Sequence, residues 1–278
     1  MEPDNSLLYA CWNNDSGRIK ELIKNGKKTQ LKEIIQGVGT PLHAAATNEN
    51  KEIVDLLLSA GADIDQSNYL GNSPLLNCIE NGQIDMAKFL IERGANVQKK
   101  GQQKRNALSL LILYSWSKDF ADFLLQKGCE INTTARDKQS LLSDAASCNN
   151  EEAIEFLLEH GIEEKYMAGA LCWAIIHNSP DSVELLLTKG ASLEEMYVRC
   201  KGIEKGLYHT TMVRKDRRKL VELLIKSGVN FEEIPKRAVV VGLEKTKLSP
   251  YAYALERLSK FPESRYIHEN VLLVELSK

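Results

Sequence analysis

No stretch of 18 apolar residues occurs in this chain, so a transmembrane helix is not expected. No C-x-x-C pair occurs either. The six cysteines (Cys11, Cys78, Cys129, Cys148, Cys172 and Cys200) are dispersed, and so are the five histidines. A zinc site needs such ligands clustered, so the cysteines read as reduced, small apolar fillers of a cytoplasmic protein. G-x-S-x-G, a phosphate loop, H-E-x-x-H and the kinase signature set are all missing, and no catalytic residue is expected. The start, MEPDNSLL, is acidic and polar, unlike an ordinary secretory signal. The net charge of −2 argues against attraction of the whole chain to nucleic acid or to a membrane. That balance is uneven. Residues 198–219 carry eight Lys/Arg against Glu204 and Asp216, a net +6 that leaves −8 elsewhere.

What the chain does have is a period. Seven segments read as an apolar helix ending in glycine, and these glycines (Gly26, Gly61, Gly94, Gly128, Gly161, Gly190 and Gly228) lie 35, 33, 34, 33, 29 and 38 residues apart. A period near 33 signals a solenoid of small helical units. Each unit contacts only its neighbours, which lets 278 residues form one array without a large globular core. Counting back 19 residues from the glycines finds Leu7, Leu42, Leu75, Leu142 and Leu171; the fourth unit needs one extra residue, near Trp116, to place Leu108. In the second unit Thr40 is placed to cap a helix and Pro41 to occupy its first position. Ile53, Val54, Leu57 and Leu58 follow helical spacing on one stripe. Gly61 sits where a left-handed residue closes that helix.

Residues 39–65, GTPLHAAATNENKEIVDLLLSAGADID, resemble the ankyrin repeat through Thr40, Pro41, Leu42, His43, Ala45, Gly61, Ala62 and Asp63. Residues 72–98 follow with Ser73-Pro74 and Gly94-Ala95-Asn96. The resemblance implies an all-α solenoid of helix–turn–helix units joined by hairpin-like loops. Repeats 1–6 with an N-terminal cap would occupy 1–195. Diverged repeats 7–8 and a C-terminal cap would occupy 196–278, continuous with the array. It also implies that His43 is structural.

In that family partners meet the concave side, formed by the hairpin tips and the ends of the first helices. Carried onto this chain, the helix ends are Trp12; Thr47 and Asn48; Glu80 and Asn81; Leu113 and Tyr114 with Trp116; Ser147; and Ile176 and His177. The tips add Asn68, Tyr69 and Leu70, then Lys99, Lys100 and Gln102 through Arg105, then Arg136 to Gln139. Large amphipathic aromatics such as Trp12, Tyr69, Tyr114 and Trp116 are the side chains enriched at interface hot spots. Trp173 matches Ala44 and is expected in the core. Cys148 and His177 occupy equivalent places one unit apart, but a Cys–His pair alone supplies neither orienter nor oxyanion donors, so both read as surface residues.

These readings point to a non-enzymatic, monomeric module that binds a protein partner, with no cofactor and no metal. The alternative is a bacterial effector or host-targeted regulator whose residues 196–278 carry a separate activity. For residues 198–219 the plain reading is a solvated helix face. Docking of an acidic partner, a nuclear localisation cluster (KDRRK) and nucleic-acid binding are its rivals.

Overall fold

Each first helix starts where a short polar side chain takes up an otherwise orphaned N–H. The computed structural model describes residues 6–199 and 218–227. Ser6 caps α1 (Leu7–Trp12), Thr40 caps α3 (Pro41–Thr47), Ser73 caps α5 (Pro74–Glu80), Asn106 caps α7 (Ala107–Tyr114) and Ser140 caps α9 (Leu141–Ser147). Each is followed by a second helix: α2 (Ser16–Lys24), α4 (Lys51–Ser59), α6 (Ile84–Glu92), α8 (Lys118–Gln126) and α10 (Glu151–Glu159). The sixth pair is α11 (Met167–His177) and α12 (Pro180–Thr188). Then come α13 (Leu193–Arg199) and α14 (Arg218–Lys226). Most of the basic segment, Cys200, the expected insertion and the expected C-terminal cap at 249–276 lie outside the described residues.

The chain divides into two compact units between Lys138 and Gln139. In the first, α1, α3, α5 and α7 pack side by side in chain order, and each second helix lies near its own first helix. In the second, α9 packs on α11 and α11 on α13, with α10 against α9, α12 against α11 and α14 against α12. The six leucines found by counting back, Leu7, Leu42, Leu75, Leu108, Leu142 and Leu171, are all buried. Burial extends around the first helices: in α3 every residue from Pro41 to Ala46 is buried. The second helices bury one stripe, such as Ile53, Val54 and Leu57 in α4.

The turns follow two rules. After each second helix a glycine takes a left-handed conformation, as Gly61 does at φ 101°, where other side chains clash with the following carbonyl. After the first helices the left-handed residue is Asn14, Glu49, Gly82, Asn149 or Asn178. The fourth unit is the exception. Its extra residue lengthens α7 to Tyr114, and Ser115 makes the turn at φ −154° and ψ 47°, without a left-handed residue. The short 29-residue spacing of the sixth unit also has a cause: a 3-10 turn over Glu164–Tyr166 runs straight into a longer first helix, α11.

His43 ties the second unit to the hairpin that follows. Its N–H donates to Thr40 Oγ1 (3.3 Å), its Nδ1 lies 3.2 Å from Thr40 N and 2.8 Å from Thr40 Oγ1, and its Nε2 lies 3.0 Å from the Asn72 carbonyl. Nδ1 therefore accepts, and Nε2–H donates to Asn72. This is the neutral imidazole, since a protonated ring has no acceptor for Thr40 N–H. Burial lowers the pKa of His43 from its usual 6.5; the hydrogen bond to Asn72 opposes this, and the Lys99 charge adds to it. Below 6.5 the unfolded imidazole takes up the proton first, so stability falls as pH drops from 6.5 toward the lower folded value. Thermal melts at pH 7.5 and 5.5 should therefore show a larger loss of Tm in the native chain than in His43→Gln. An equal loss in both would refute the assignment.

Candidate functional site

A helix ends with carbonyls that have no partner of their own. In the first unit the next repeat supplies one. Asn48 Nδ2 donates to the carbonyls of Cys11 (3.0 Å) and Trp12 (2.9 Å). Gln83 Nε2 donates to the Thr47 carbonyl (2.8 Å), and Ser115 Oγ to that of Ile79 (2.9 Å). These bonds hold the ends of α1, α3, α5 and α7 in step, so Trp12, Thr47, Asn48, Glu80, Asn81, Leu113 and Tyr114 share one edge of that unit. In the second unit Ser179 Oγ donates to the Ser147 carbonyl (3.3 Å) and sets Ser147 beside the turn that follows Ile176 and His177.

The side chains on these edges divide into two kinds. Several polar ones are taken up by the fold. Asn77 Nδ2 donates to the Thr47 hydroxyl (3.4 Å) and Asn72 Nδ2 to the Glu80 carboxylate (2.8 Å). Asn81 Nδ2 donates to the carbonyl of Asn77 (2.9 Å), and Ser147 Oγ to that of Asp144 (2.8 Å). The large apolar ones project. Trp12 is 50% exposed, Tyr69 66%, Leu70 58% and Tyr114 58%. Leu113, Trp116 and Ile176 are half-buried. The His177 ring is exposed and lies 5.4 Å from that of Trp173. Trp173 is itself half-buried rather than in the core, because an indole is too large for the slot that Ala44 fills between packed helices.

Two exposed apolar residues escaped the sequence reading. Tyr9, 44% exposed, stands where Ala44 stands in the second unit. Ile35, 41% exposed, sits at the first hairpin tip beside the antiparallel bridge from Ile35 to Gly39.

The tip cations differ among themselves. Lys99 donates to the Asp65 carbonyl. Lys100 donates to Thr133 Oγ1 (2.6 Å) and lies 3.7 Å from Glu130, and Arg105 donates to Ser109 Oγ (3.0 Å). Elsewhere Arg93 grips Asp55 of the preceding repeat with two hydrogen bonds (2.7 and 2.9 Å), which holds the Asp55 carboxyl below its ordinary range. Lys219, with Asn149, does the same for Asp181.

Among the described residues, no group of three or more His, Cys, Asp or Glu is placed to hold a metal ion, and no helix is long and apolar enough to cross a membrane. Cys11, Cys78, Cys129 and Cys172 are buried, and Cys148 is exposed at the end of α9. Burial pushes the Cys11 and Cys78 thiols up to about 12 and the Cys129 thiol up to about 11, so none is a nucleophile at neutral pH.

The family model for ankyrin repeats (3 copies) matches residues 7–101 and 108–196. The chain is similar to the ankyrin repeat protein FPV031 of fowlpox virus (strain NVSL), at 27% identity over 211 residues, or 74% of this chain and 61% of the relative. It is similar to human inversin at 28% over 179 residues, 63% of this chain and 17% of inversin. It is also similar to the potassium channel AKT2/3 of Arabidopsis thaliana at 28% over 185 residues, 65% of this chain and 22% of the channel. The chain thus spans less than two thirds of each of these relatives.

Two measurements check the site's construction. Asn48→Ala leaves the Trp12 carbonyl without its donor and the Cys11 carbonyl with the Asn14 N–H, and should lower stability by about 1 kcal/mol in urea unfolding. No change would mean that the stitch is idle. In the folded chain, maleimide should label Cys148 well before Cys11, Cys78 or Cys129, as read by mass spectrometry of the peptides. Equal labelling rates would contradict the burial described.

Proposed function

The chain belongs to the ankyrin repeat family, and we propose that it is a non-enzymatic module that binds a protein partner through the ends of its first helices and its hairpin tips. Ankyrin repeats generally mediate protein–protein interaction. The observation that carries the reading is the exposure of Trp12, Tyr69, Leu70 and Tyr114 in one unit. Large apolar side chains left in water on a scaffold whose helix ends are cross-linked are suited to be anchors. Because the stitches order the surface before any partner arrives, less conformational entropy is lost on binding.

In this reading Thr47, Asn48, Glu80 and Asn81 shape the edge, and the aromatic residues supply the contact. Ser147, Ile176 and His177 form a corresponding edge of the second unit. The thiols buried singly in different repeats suit a reducing compartment, and we place the protein in the cytoplasm as a monomer.

The test is affinity capture with identification of the retained protein, followed by titration of that protein. Tyr114→Ala and Trp12→Ala should each weaken binding about tenfold or more, with helical circular dichroism unchanged. Native affinity in both variants would remove this surface from consideration.

A further inference from the structure

Three successive hairpin tips of the first unit are tied into a row. Gln102 N donates to Asn72 Oδ1 (2.8 Å), and Arg136 N donates to the Gln103 carbonyl (2.7 Å). Counting back from the helix caps Ser73, Asn106 and Ser140 aligns Gly71, Lys104 and Lys138. All three are left-handed, with φ of 88°, 61° and 65°. Glycine takes this conformation freely and lysine does not. Twice, then, a strained lysine stands where Gly71 shows the unstrained solution. Both lysines are exposed and, among the described residues, neither makes an ion pair.

The first tip of the row carries Tyr69 and Leu70, both more than half exposed. The carboxylates of that hairpin are turned onto backbone: Asp63 Oδ1 accepts from Asp65 N (2.9 Å) and Asp65 Oδ1 from Asn96 N (3.0 Å). Between Asn96 and Asn106 there is no carboxylate. The last tip adds exposed Arg136 and one acid, Asp137. Along the stack the row therefore runs from apolar to cationic. Neighbouring repeats lie about 10 Å apart, and an extended chain covers that in about three residues.

We propose that this row docks an extended acidic segment of a protein, with a large apolar residue seated at Tyr69–Leu70 and carboxylates near every third residue beyond, facing Lys104 and Lys138. The proposal rests on the interaction reading above and names its partner's chemistry. Nucleic acid fits less well, because the row presents few cations, includes Asp137, and belongs to a chain of net charge −2.

The test uses the full chain and fluorescein-labelled peptides of twelve residues. One carries Trp-Leu followed by Glu at every third position. The others replace each Glu with Lys, or Trp-Leu with Ala-Ala. Anisotropy should show binding of the first alone, weakening as salt is raised. The doubly substituted chain Lys104→Gly, Lys138→Gly should keep or raise its melting temperature while losing about tenfold in affinity for that peptide, and Tyr69→Ala should lose as much. A purely structural role for the lysines predicts no loss. Equal binding of the Glu and Lys peptides, unchanged affinity in both variants, or tighter binding of a thymidine 12-mer than of the acidic peptide would each overturn the proposal. A captured partner that Tyr114→Ala releases and both tip variants retain would overturn the tip assignment alone and leave the interaction reading standing.

Discussion

A first helix of this chain has almost no side of its own left for water. In α5, Pro74, Leu75, Leu76, Cys78 and Ile79 are all buried, and the helix packs against α3, α6 and α7. One helix pair cannot supply that cover alone, so each repeat is stable only with neighbours in place. The rest of the structure follows from this dependence. Small residues such as Ala44 and Ala45 fill slots between first helices. Leucine recurs at one register position. Polar groups at the helix ends find partners in the next repeat.

That pairing joins the fold to its surface. Asn48, Gln83, Ser115 and Ser179 come from different places in their repeats, yet each meets the end of the preceding first helix. His43 does comparable work at the other end, joining Thr40 to Asn72. Cross-linked at both ends, the first helices hold the intervening edge in register. Exposed aromatics on such an edge are pre-ordered, and pre-order rather than any single pocket is what such an array brings to binding.

Much of this was legible in the letters, and the reasons are particular. Thr40-Pro41 and Gly61 speak through local backbone chemistry, and both act as read. The leucines speak through period. Trp173 was misjudged because register gives a position but not the volume available there. Tyr9 was missed because register gives a position but not what covers it. The polar groups of Thr47, Asn48 and Glu80 are engaged within the fold, through partners in a neighbouring repeat for Thr47 and Asn48 and through Asn72 of the same repeat for Glu80, and a partner some 30 residues away leaves no mark in a side chain's own repeat.

The sequence by itself determined the repeat unit, its helix starts and stops, and the place of the buried leucines, because capping, left-handed turns and helical amphipathicity act over a few residues. Only the tertiary structure decided which exposed groups remain free. Neighbouring tips come together by stacking, and it is their juxtaposition that sets Tyr69 and Leu70 in a row with Lys104 and Lys138.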